Sequence, residues 1–141
     1  MRSGELRALQ WRRVDFRNAQ LTVALSEWDG QFDTPKGGRE RIIPLNDLAL
    51  EAFEAQREGG MKTEWVWSLP NGVPLRKWHQ HENLKRVRMA SAMRKFGWHT
   101  LRHTFASQMV MACVPLKAVQ ELLVHTTMAM TMRYAHLSPG F

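Results

Sequence analysis

The pattern of apolar residues changes character near residue 76, and that change limits the folds open to this chain. Before it, short stretches alternate with turn signals; beyond it, apolar residues recur at helical spacing almost to the C-terminus. Residues 4–11 predict a short helix with Leu6 and Leu9 on one face, Trp11 nearby and Ser3 as its cap. Residues 20–25 alternate polar and apolar and read as a strand. Residues 31–34 and 40–44 flank Pro35-Lys36-Gly37-Gly38, which predicts a β-hairpin with Lys36 near its tip. A helix capped by Asn46 or Asp47 runs to about Glu58, with Leu48, Ala52 and Ala55 at helical spacing and Gly59-Gly60 ending it. Residues 65–68 read as a short strand, and Pro70-Asn71-Gly72 as a turn.

The second part predicts a long basic helix over 78–95, with Leu84, Val87, Ser91 and Met93 as a rough apolar stripe and Gly97 as its breaker. A helix over 99–112 follows, with Leu101, Phe105, Met109 and Ala112 on its core face. Pro115 suits the first turn of a third helix over 115–123, with Leu116, Val119 and Leu122 inward. A last helical turn or two covers 127–136. The expected class is α+β, mostly helical with a small antiparallel sheet. At 141 residues the expectation is one domain.

Charge follows the same division. Residues 1–75 hold 10 Lys and Arg against 11 Asp and Glu, whereas residues 76–141 hold 10 against 2. The whole excess of +7 therefore comes from the helical part, which points to a polyanionic partner, nucleic acid before a membrane surface. There is no apolar run of about 18 residues to span a bilayer, and no apolar stretch behind the N-terminus to form a signal peptide. One cysteine, Cys113, excludes an internal disulfide framework and a cysteine-rich zinc site. A reduced, intracellular protein is expected.

Chemistry-bearing residues cluster late. His99 and Arg102 are neighbours on one helical face, with His103 beside them, and the only tyrosine, Tyr134, stands near the C-terminus. His99 and His103 have the i, i+4 spacing of zinc ligands. Thr100 follows His99 where a metalloprotease carries its glutamate, and no acidic third ligand lies near, so no metal is expected. The hydrolase signature Gly-x-Ser-x-Gly and the phosphate loop Gly-x-x-x-x-Gly-Lys-Ser/Thr are both missing.

Four separated pieces, in order, resemble the catalytic domain of the tyrosine recombinases, the phage-integrase family. Met1-Arg2-Ser3-Gly4-Glu5-Leu6 with Ala8-Leu9-Gln10-Trp11 is similar to its first arginine motif. Thr34-Pro35-Lys36-Gly37-Gly38-Arg39 with Ile43-Pro44-Leu45 is similar to its lysine-bearing hairpin. His99-Thr100-Leu101-Arg102-His103-Thr104-Phe105-Ala106-Ser107 is similar to its His-x-x-Arg box. Leu122-Leu123-Val124-His125 and Thr131-Met132-Arg133-Tyr134-Ala135-His136 are similar to its closing histidine and nucleophilic tyrosine.

The resemblance implies a mainly helical recombinase catalytic fold with a small antiparallel sheet. It implies a reaction in which Tyr134 attacks a DNA phosphodiester, forms a 3′-phosphotyrosyl bond and frees a 5′-hydroxyl, which is later rejoined without ATP, metal or other cofactor. Arg2 and Arg102 would stabilise the charge that develops on the non-bridging oxygens, a task for which a planar guanidinium fork is suited. His99 would take or position the tyrosine proton. Lys36 would protonate the leaving 5′-oxygen, His125 would hydrogen-bond the phosphate, and Glu5 would support the site. Arg39, Arg41, Arg76, Lys77, Lys85, Arg86, Arg88, Arg94 and Lys95 are expected as phosphate contacts that position the duplex without reading it.

The implied partners are double-stranded DNA and, in a full-length parent, a homotetramer on DNA. The implied location is cytoplasmic and nucleoid-associated, with no membrane. Because the chain opens on the first arginine motif, residues 1–141 are expected to be the catalytic domain without the upstream catalytic helices and DNA-clamping domain. Two other readings are a truncated module that binds DNA or its parent recombinase without turning over, and a nicking-and-sealing activity without synapsis. Val124 stands where the family usually has glycine before its histidine, a place where φ > 0 would be costly for valine.

Overall fold

Two separate antiparallel sheets organise the first part of the chain. The computed structural model describes residues 1–35 and 38–139. Their contacts divide the chain into two compact units, Arg2–Met93 and the segment from Arg94 onward together with Met1.

In the N-terminal unit, α1 (Ser3–Arg7) is followed by a 3₁₀ turn at Trp11–Arg13. Its cap is not the expected Ser3: Arg2 holds the N-cap position, and the carboxylate of Glu5 accepts the Arg2 backbone N–H at 2.6 Å. Strands β1 (Val14–Asp15), β2 (Gln20–Val23) and β5 (Arg41–Pro44) form one sheet in the order β1-β2-β5, with Leu21 opposite both Val14 and Ile43. Leu21 and Val23 are buried while Gln20 and Thr22 are half-exposed, the period-2 alternation of a one-faced sheet.

β3 (Ser26–Trp28) and β4 (Gln31–Asp33) pair with each other. Their loop is Asp29-Gly30 with φ 50° and 83°, the primed turn geometry that follows the twist of two strands. The expected hairpin of 31–34 with 40–44 is thus corrected: β4 returns to β3, and β5 pairs with β2. The Asp-Gly pair is the stronger two-residue hairpin signal. Lys36, expected at the hairpin tip, lies outside the described residues, as does Gly37.

α1 packs directly on β3. A Cβ at Gly4 would sit 2.6 Å from the Glu27 carbonyl oxygen, so only glycine permits this approach. Behind it, buried Arg7 donates from Nε to the Glu27 carboxylate at 2.5 Å and from Nη1 to Gln80 Oε1 at 2.6 Å. That bond network ties α1, β3 and α3 (Lys77–Ala90) together, and removing one partner of such a buried pair costs about 3–5 kcal/mol.

α2 (Asp47–Gly59) is capped by Asn46, whose Oδ1 accepts the Ala49 N–H at 3.0 Å. Its buried residue is Phe53, tilted against Trp67; Leu48, Ala52 and Ala55 are exposed. The bulkiest apolar side chain, rather than the alanine spacing, sets the face. Residues 65–68 make two isolated bridges instead of a strand. On α3, Gln80 and Leu84 are buried, while Val87 is exposed and Met93 lies beyond the helix end. The helix stops at Ala90 because Ala92 turns left-handed at φ 52°; Gly97 is the N-cap of the next helix.

The C-terminal unit consists of α4 (Trp98–Met111), α5 (Leu116–Leu123), α6 (Ala129–Met132) and a 3₁₀ turn at Ala135–Leu137. Its core is Ala106 and Val110 of α4, Val119 and Leu123 of α5, and Tyr134, with Met109, Leu116 and Leu137 packed around them. Leu101 and Phe105, expected inside, are each 45% exposed, and Ala112 and Leu122 are also exposed. Apolar residues lie all around α4, so their spacing does not single out a face. The chain buries the short side chains of Ala106 and Val110, which lets α5 come close.

Candidate active site

The predicted site residues fall in both units, and each group stands in its own local surroundings. In the N-terminal unit, Glu5 is 1% exposed and collects three bonds. They are the Arg2 N–H at 2.6 Å, Arg2 Nη1 at 3.3 Å and Arg41 Nη2 at 2.6 Å. Burial alone would raise the carboxyl's pKa. The Arg41 bond, the Arg2 backbone bond and the charges of both guanidiniums together outweigh it and hold the carboxyl below the usual carboxylate range. Glu5 is therefore an ionised anchor. It fixes the first turn of α1 and leaves the half-exposed Arg2 guanidinium at the edge of that turn.

In the C-terminal unit, the ring of Tyr134 belongs to the core and the residue is 6% exposed. Its hydroxyl meets Nδ1 of His103 at 2.5 Å. One turn earlier on α4, the His99 ring meets the His103 ring edge-on with centroids 4.4 Å apart. Burial, then the charges of His99, Arg133 and Arg102, hold the pKa of His103 below the usual histidine value. Arg102 donates from Nη2 to the Leu123 carbonyl, one of the oxygens a helix leaves unpaired at its C-terminus. The predicted arginine thus caps α5 while it faces the turn that carries His125.

That turn is strained. Val124 takes φ 53° and ψ 49° at the end of α5, so a β-branched residue adopts the left-handed conformation for which glycine is suited. His125 is then pinned on three sides: its N–H donates to the Gln120 carbonyl at 3.0 Å, its own carbonyl accepts Gln120 Nε2 at 3.3 Å, and Nδ1 bonds the hydroxyl of fully buried Thr131 at 2.9 Å.

Among the expected phosphate contacts, Arg39, Arg76, Lys77, Lys85, Arg86, Arg94 and Lys95 are exposed and Arg88 is half-exposed. Lys77 lies over the Trp28 ring at 5.3 Å. Arg41 is engaged with Glu5 instead of standing free at the surface. Lys36 lies outside the described residues. Among the described residues no three His, Cys, Asp or Glu side chains gather as a metal-holding group, and no helix is long and apolar enough to cross a membrane. Sequence reasoning left His103 without a role and did not pair Arg41 with Glu5. The i, i+4 spacing of His99 and His103 was the available signal for the first. A contact across 36 residues leaves no local signal for the second.

The model of the phage integrase family matches residues 1–140. The tyrosine recombinase XerC of Pelobacter propionicus is 31% identical over 149 residues, covering 98% of this chain and 44% of that protein. XerC of Xanthomonas campestris pv. campestris is 33% identical over 140 residues, covering 97% of this chain and 40% of that protein. The chain spans less than half the length of these relatives. The fold is similar to that of the Tn1549 transposon integrase in complex with circular intermediate DNA (TM-score 0.80, 22% identity, 95% of this chain and 50% of that one). It is similar also to XerA recombinase (0.76, 23%, 99% and 48%) and to the catalytic domain of bacteriophage HP1 integrase (0.63, 23%, 99% and 69%).

Proposed function

The chain belongs to the phage integrase family, and on that premise we propose that it is the strand-cleaving and rejoining part of a site-specific DNA recombinase. The observation that carries this reading is the Tyr134 hydroxyl bound to a histidine on the helix that also bears Arg102 and His99. Tyr134 attacks the phosphorus, the 5′-oxygen leaves, and a 3′-phosphotyrosyl ester stores the bond until a second 5′-hydroxyl reverses the step. The developing charge on the non-bridging oxygens is met by the guanidiniums of Arg102 and Arg2. Preorganised charge of this kind is often the largest catalytic contribution. His125 hydrogen-bonds the phosphate and Lys36 protonates the leaving oxygen. No metal, ATP or other cofactor takes part.

Double-stranded DNA is the partner. The exposed cations of α3, with Arg94 and Lys95, supply phosphate contacts that hold the duplex. Recombination cuts and rejoins the four strands of two duplexes, one tyrosine to each strand, so the working assembly is a tetramer on DNA in the cytoplasm.

Covalent trapping tests the reading. The protein is mixed with a pool of nicked suicide duplexes and resolved on a denaturing gel beside Tyr134→Phe. A shifted adduct that forms in chelator and is lost in Tyr134→Phe, with DNA affinity nearly unchanged, is the expected result. Salt-sensitive binding with no adduct would replace it with the DNA-holding module. Relaxation of supercoiled DNA without recombinants would identify nicking and sealing.

A further inference from the structure

We propose that His103, rather than His99, takes the phenolic proton of Tyr134 as the tyrosine attacks; this rests on the recombinase reading above. Among the described residues, the hydrogen-bond partner of the Tyr134 hydroxyl is His103 Nδ1 at 2.5 Å, inside the reach a general base needs. His99 makes a T-shaped ring contact with His103, at 4.4 Å between centroids.

Three further observations agree. The tyrosine ring is locked into the core by Ala106, Val110, Val119 and Leu123, so its oxygen is held where His103 stands. An O–H donated to Nδ1 requires that nitrogen to be unprotonated, with the ring hydrogen on Nε2. The surroundings of His103 favour this neutral form: burial first, then His99 on its own helix, Arg133 beside Tyr134, and Arg102. Elsewhere on the elements packed against α4, Lys117 and Glu121 of α5 are exposed and bridged to each other at 3.6 Å, and His136 is exposed.

The step balances as follows. The Tyr134 O–H bond breaks and its proton passes to His103 Nδ1, giving an imidazolium. The phenolic oxygen bonds to phosphorus while the bond to the 5′-oxygen breaks. That oxygen takes a proton from a separate acid, the role assigned to Lys36. On rejoining, His103 returns its proton to the departing tyrosine. The nearby guanidiniums disfavour a standing charge on His103, which keeps the proton ready for return.

The test uses His103→Asn, whose side-chain oxygen replaces Nδ1 as an acceptor for the tyrosine hydroxyl but takes no proton at neutral pH. Single-turnover adduct formation is followed against pH on a duplex recovered from the trapping pool, with binding measured separately. His103→Asn is expected to bind DNA as wild type does, to form the adduct about 10²–10⁴-fold more slowly, and to lose the fall in rate that wild type shows as pH drops below the ordinary histidine value. His103→Gln replaces it should the asparagine variant fold poorly by circular dichroism. A variant within threefold of wild type, with the same pH profile, would overturn the proposal and leave His103 a structural partner. Absence of any adduct from wild type would overturn the recombinase reading itself, so the two failures are told apart by the wild-type lane.

Discussion

Glu5 shows how one buried carboxylate can organise a site. It joins a helix cap, the predicted catalytic Arg2 and Arg41 of β5. Its carboxyl is held below the ordinary value of 4.5 despite burial, which acts the other way. The unfolded chain therefore protonates first. Stability from Glu5 is complete above that ordinary value and is lost as pH falls through the lower, folded value. Thermal melts should fall more steeply below about pH 4.5 for wild type than for Glu5→Gln. The variant should start about 1–3 kcal/mol less stable at neutral pH, because buried donors lose a charged acceptor. Matching acid limbs would show that Glu5 is not the linked group. At this scale much was legible: Arg2, Glu5, Arg102, His125 and Tyr134 all stand in local motifs whose spacing is visible in one dimension. Arg41 read as a surface cation because only the β2–β5 pairing carries it back to Glu5.

The helices end in an unusual way. α3, α4 and α5 are each followed by a left-handed residue that is not glycine: Ala92, Cys113 and Val124. Valine is the costliest of the three because its branched Cβ crowds the backbone there. Val124→Gly should therefore stabilise the protein by about 1 kcal/mol, the relief of strain exceeding glycine's added unfolded-state entropy. The urea midpoint should rise with an unchanged slope. A lower midpoint would mean that packing of the valine side chain outweighs its backbone strain. The helices themselves were readable because each spans several turns of apolar residues between caps. Their buried faces were less so. With apolar groups on all sides of α4, three-dimensional packing decides between Phe105 and Ala106, and it chose the smaller. The sheet was misread for a different reason: Pro35 and two glycines drew the turn away from Asp29-Gly30, where two residues suffice to reverse the chain.

For the molecule as a whole, charge is the property that reaches furthest. The excess of cations lies in the helical half, and exposed Arg86 on α3 projects opposite the buried Gln80 and Leu84. Binding to a duplex of arbitrary sequence should weaken steeply with salt. In fluorescence anisotropy, Arg86→Ala should flatten the log–log salt slope by about one; an unchanged slope would remove Arg86 from the interface. The division into two units was not legible, since no linker-like segment marks the boundary near Arg94. One compositional fact gains meaning once Tyr134 is seen locked in its core: the chain contains a single phenol. Growth on fluorotyrosine would therefore place one fluorine atom in these 141 residues, on the ring proposed to carry the DNA. Its resonance would report, without any mutation, whether that ring is packed, ionised or esterified.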